Sequence, residues 1–126
     1  NHIHASFLAQ AHQTSAKYPD EVNEFTEVGL TEEYLDGINV PFVKESTIKY
    51  LLSLKEIVPI TLNNTFLVIG QLEQVLIDPS LRPTTDGFLH LDQAGSICSN
   101  GLDAYYNTTL IDRYAYAKHG VPVEKL

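Results

Sequence analysis

The stretch TFLVIGQLEQVLI, Thr65–Ile77, decides the fold class. Phe66, Leu67, Val68 and Ile69 are continuously apolar, whereas the second half partly alternates between polar and apolar residues. The whole run is long for a single strand. Gly70 sits between the two halves, and a glycine there predicts a bulge or bend, as where a strand curls around a barrel. Just upstream, Asn63-Asn64 is a turn signal between apolar runs, so residues 59–62 and 65–77 read as a hairpin. Residues 47–54 and 57–62 have strand composition too and read as two strands, with Pro59 inside the second.

Beyond this hairpin, Asp78-Pro79 and Arg82-Pro83 enclose a loop and Asp86-Gly87 opens a turn. Residues 88–91 form a short segment, and residues 96–98 a further strand before Asn100-Gly101. Tyr105, Tyr106, Tyr114 and Tyr116 close the chain with sheet-like composition. Ahead of the hairpin the texture is helical. Residues 6–16 predict a helix capped by Ser6, with Phe7 and Ala11 on its apolar stripe. Pro19-Asp20-Glu21 begins a second short helix running toward Phe25, with Gly29 as its stop. Thr31 opens a turn that ends at Asp36-Gly37. The expected class is α+β, mainly β. A curled strand with few edge-blocking charges favours a small barrel over an open sheet.

At 126 residues the chain is one domain. Hydrophobic residues make up 44% and charged residues 19%, which suits a globular protein rather than a disordered one. The net charge of -8 argues against nucleic acid, whose phosphates need a basic face. No apolar run is long enough for a helix to span a membrane, and no secretory leader pattern opens the chain. Cys98 is the single cysteine, which suits a reducing, cytoplasmic setting. The chain has no methionine and starts at Asn1, so further strands are expected upstream of it.

Several residue groups carry candidate chemistry. His2, His4 and His12 have no acid or cysteine at ligand spacing, so no metal site is expected. His12, Thr14, Ser15 and Lys17 cluster at the end of the first predicted helix. They suit an anion, since lysine and hydroxyls donate to phosphate. They equally suit plain helix-end chemistry. Lys17 is the one base among residues 1–40, which carry seven acids. Glu24 and Glu27 read as a solvated pair. A catalytic-serine elbow and a glycine-rich phosphate loop are both absent. The tyrosines could stack on a flat ring or pack a barrel.

A series of segments resembles the flavin reductase-like family with an FMN-binding split barrel. It begins at Asn1-His2-Ile3-His4 and continues through AHQTSAKYP, residues 11–19, to Val22-Asn23-Glu24-Phe25 and Gly29-Leu30-Thr31. It goes on with residues 41–46 and 67–73, then Asp86-Gly87 with His90-Leu91-Asp92. It ends on residues 99–105. The matches run in order along nearly the whole chain. The resemblance implies a split β-barrel, of which residues 1–126 would be the C-terminal part. It also implies noncovalent FMN, a homodimer, and hydride chemistry between NAD(P)H and flavin or a downstream acceptor. Carried over residue by residue, it implies cofactor contacts at Lys17, Ser15, Thr14 and His12, and substrate contacts at Ser99 and Tyr105. Ser99 stands where many relatives carry a histidine proposed to meet the nicotinamide. That difference favours an FMN-binding electron carrier or sensor as the second reading.

Overall fold

The computed structural model describes residues 1–126. Its elements are α1 (Leu8–Gln13), α2 (Glu24–Val28), β1 (Glu32–Glu33), β2 (Phe42–Val43), β3 (Ile48–Ile60), β4 (Thr65–Ile77), β5 (Ile97–Asn100) and β6 (Ala104–Asn107). A 3-10 turn, Ala5–Phe7, leads into α1. The strands form three separate antiparallel ribbons, β1–β2, β3–β4 and β5–β6.

β3 and β4 make the long hairpin, paired from Ile48↔Ile77 to Ile60↔Thr65. Asn64 takes the left-handed conformation in the connecting loop, at φ 56°; asparagine tolerates this better than most residues. The two predicted strands at 47–54 and 57–62 are in fact one strand. Leu54 faces Gly70 and Glu56 faces Ile69, so Lys55 is the extra residue of a bulge. The irregularity predicted at Gly70 is present, but the inserted residue belongs to the facing strand. A Cβ on Gly70 would lie 3.1 Å from both Cβ and Cδ2 of Leu52. Glycine lets the ribbon close at that point. Pro59 pairs with Phe66 inside β3. It is tolerated because β3 has only one neighbour, and an edge strand can spare an N–H.

The helices are shorter than their sequence suggests. α1 stops at Gln13 because the Thr14 hydroxyl donates to the Ala11 carbonyl (2.7 Å) and the Ser15 hydroxyl to the His12 carbonyl (2.8 Å). Ser6 lies within the 3-10 turn, and neither that turn nor α1 has a side-chain cap. Pro19, Asp20 and Glu21 form a turn ahead of α2, not its first turn. The cap is Asn23, whose side chain accepts from the Thr26 amide at 3.2 Å. Gly29 closes α2 in the left-handed region, at φ 73°. Residues 88–91 form no strand. Tyr114 belongs only to a single bridge with Lys125, and Tyr116 is 90% exposed outside any strand, so the aromatic tail is not a sheet strand.

Residues 1–4 stitch the ribbons together. The His2 amide donates to Ile48 O at 2.8 Å, the Ile97 amide donates to Ile3 O at 3.0 Å, and His4 bridges to Ser96. The core is small: only Phe7, Phe42, Ile48, Ala94, Ser46 and Ser96 are buried. In contrast, every residue of β4 except Leu76 is exposed. The run Phe66 to Ile69 is apolar on both sides, a pattern of strands covered on both faces. Within these residues neither face is covered.

Candidate functional site

The site is built where α1 meets the β5–β6 ribbon. Ser99 and Tyr105 are directly paired across the ribbon, which places their side chains on the same face. His12, on the last turn of α1, reaches that face. Its Nδ1 lies 2.8 Å from the Tyr105 hydroxyl, and the two rings meet edge to face with centroids 5.8 Å apart. Tyr105 lines two hollows. One, of about 450 Å³, is bounded by Ala5, Leu8, Ala9, His12 and Asp103. The other, of about 240 Å³, is bounded by residues 1–3 and by Ile97, Cys98 and Ser99. The Gly101 turn, at φ 72°, lets the chain reverse tightly between Ser99 and Tyr105.

The structure thus brings together His12, Ser99 and Tyr105 from positions far apart in sequence. Ser15 bonds only the backbone carbonyl of His12, and no contact joins Thr14, Ser15 or Lys17 to Ser99, to Tyr105 or to the His12 ring. The protons of the Thr14 and Ser15 hydroxyls are spent on α1 carbonyls, which leaves their oxygens only as acceptors in this conformation. Lys17 is exposed and its ammonium has no partner in the chain. Of the acids in residues 1–40, Glu32 accepts from Tyr34 and Asn23, and Glu33 pairs with Lys49. For a phosphate-bearing cofactor, the donor set in this arrangement is Lys17, with the two hydroxyls available after rotation. Tyr105 and the apolar wall of α1 suit a flat ring.

Asp103 and residues 1–3 also line these hollows, and sequence reasoning missed them as site residues. The Asp103-Ala104-Tyr105 order was the one signal that could have pointed to Asp103. His2 and His4 face inward but serve the junction. His2 sits between Ser96 Oγ (2.8 Å) and the Tyr50 hydroxyl (3.0 Å), and His4 Nε2 lies 3.0 Å from Thr47 Oγ1. Burial pushes both imidazoles below the usual histidine range. No three histidine, cysteine, aspartate or glutamate residues group closely enough to hold a metal. No helix is long and apolar enough to cross a membrane.

No family model matches the chain, and no curated protein matches it. Solved structures do. The chain superposes on the crystal structure of a candidate flavin reductase with a split barrel domain from Shewanella frigidimarina NCIMB 400. The TM-score is 0.85 and the identity 42%, over 93% of this chain and 59% of that one. The chain belongs to the flavin reductase-like split-barrel family. A second structure, the flavoredoxin of Desulfovibrio vulgaris (Miyazaki F), matches with a TM-score of 0.68 over 94% of this chain and 60% of its own. At 18% identity that likeness shows the fold alone. The chain therefore spans about three-fifths of the length of both structures. The three ribbons and two short helices are split-barrel elements, and the His12–Tyr105 contact links two segments that the family resemblance singled out.

Proposed function

We propose that this chain belongs to a flavin oxidoreductase that binds FMN noncovalently. In this reading it moves reducing equivalents from NAD(P)H to flavin or to a downstream acceptor. The observation that carries the reading is the 42% identity and 0.85 TM-score to the split-barrel flavin reductase candidate. Bound flavin supplies the redox chemistry, and the protein binds and orients it. Lys17 holds the FMN phosphate or ribityl end by a charge-assisted hydrogen bond, with Ser15 and Thr14 beside it. His12 fixes Tyr105 on the ring side, and Ser99 and Tyr105 form the face presented to the substrate. Residues 1–126 make up part of one split-barrel domain, which works as a homodimer. The uncovered apolar faces of β3 and β4 support a larger assembly, since bare apolar patches of that kind mark interfaces. The single cysteine suits a reducing cytoplasm.

A second reading is an FMN-binding electron carrier or sensor without NAD(P)H turnover. Ser99 favours it, because the ribbon offers no imidazole at that position. Against it, the structure brings an imidazole to Tyr105 by another route, from His12 on α1. NADH and NADPH oxidation by the FMN-loaded protein separates the two. Catalytic turnover with either nucleotide supports the reductase, and bound FMN without turnover supports the carrier.

A further inference from the structure

Next to the β5–β6 ribbon, walled by residues 88–92 and 107–110, lies a cavity of about 600 Å³. Phe88, Leu89, Leu91 and Leu110 form its apolar wall, and Cys98 and Asn107 come from the ribbon. Its size falls within the range of small-molecule pockets.

The wall is held in place. The Thr84 amide donates to Phe88 O at 2.8 Å, and the Phe88 amide donates to the Thr84 hydroxyl at 3.0 Å. The Arg113 guanidinium covers the Phe88 ring at 3.9 Å and is itself ion-paired with Asp86. The His90 ring meets Phe88 edge to face at 5.0 Å. The aromatic wall therefore needs no ligand to order it, which lowers the cost of binding.

The polar groups on the lining are selective. Thr108 is committed to the Ser96 carbonyl at 2.8 Å. The Asn107 amide and the Thr109 hydroxyl have no partner within the chain and can bond a carbonyl or hydroxyl group. Asp92 also lines the cavity, with its carboxylate 3.6 Å from His90, and it repels anions. No lysine or arginine is among the lining residues.

We propose that this cavity is a binding site for an uncharged, flat aromatic molecule bearing a carbonyl or hydroxyl group. The proposal is independent of the flavin reading, because none of the residues assigned to FMN lines the cavity.

Cys98 is the only thiol and lines this cavity, but it also borders the smaller hollow beside Tyr105, so the variants at Asn107 and Arg113 decide which of the two is filled. The probe is 2-naphthol, titrated onto the protein by fluorescence while iodoacetamide labelling of Cys98 is followed by mass spectrometry. Saturable binding that slows Cys98 labelling is expected. Asn107→Ala and Arg113→Gln should each weaken that protection roughly tenfold, the scale of one lost anchoring contact. The sulfonated analogue, 2-naphthol-6-sulfonate, should not protect. Binding that leaves Cys98 labelling unchanged would place the probe outside this cavity and overturn the proposal. So would protection that neither variant alters, or equal protection by the anion.

Discussion

The hydroxyl of Tyr105 lies 2.8 Å from Nδ1 of His12, across 93 residues of sequence, and ties α1 to the β5–β6 ribbon. It is the one side-chain hydrogen bond between these two parts of the site. Tyr105→Phe and His12→Ala should each lower stability by about 1 kcal/mol, the net value of such a bond. The double variant should cost less than the sum, because both changes remove the same interaction. Urea denaturation of the four proteins checks this. Strictly additive losses would mean that the pair is not coupled.

Gly70 should resist enlargement. Its Cβ position is already crowded by Leu52 at 3.1 Å, so Gly70→Ala forces a small shift and Gly70→Val a larger one. Valine should cost about 1–3 kcal/mol, as overpacking does. Thermal melts of both variants test the order; a valine variant as stable as the parent would contradict the close approach.

Acid should weaken the junction made by residues 1–4. Burial lowers the pKa of His2 and His4 from the ordinary 6.5, so the folded chain holds them neutral where the unfolded chain would protonate them. The unfolded state then binds more protons below about pH 6.5, and stability falls as pH drops through that range. Above it the contribution is fully present. Replacing both residues by glutamine should flatten the dependence, read as the denaturation midpoint between pH 7.5 and 5.5. An unchanged slope would show that other groups control it.

The extended elements were the most legible part. The Asn63-Asn64 turn, the long strand of Thr65–Ile77 and the irregularity at Gly70 all follow from local composition. β3 was misread because the charged pair Lys55-Glu56 separates two apolar runs and Pro59 looks like an interruption. A bulge absorbs the first and an edge position the second, and both depend on the partner strand. α1 was overextended because Thr14 and Ser15 bond back to the helix carbonyls, a choice that helical periodicity does not record. The site was legible only in parts. Residue type flagged His12 and Tyr105, and the family resemblance flagged Ser99, but their meeting depends on a fold spanning 93 residues. The Phe88 cavity left no local signal at all, since Arg113 reaches it from 25 residues downstream in the numbering.

Lys17 is the cation assigned to the FMN phosphate or ribityl end. Lys17→Ala should weaken FMN binding by roughly 1–2 kcal/mol, the value of one charge-assisted hydrogen bond. An identical affinity in the variant would remove Lys17 from the site while leaving the fold assignment untouched.

The most direct measurement is an FMN titration of the protein followed by quenching of flavin fluorescence. The account predicts saturable binding at one FMN per chain, weakened by Lys17→Ala and perturbed by Tyr105→Phe. A protein that stays folded yet leaves FMN fluorescence unquenched at all concentrations would contradict it.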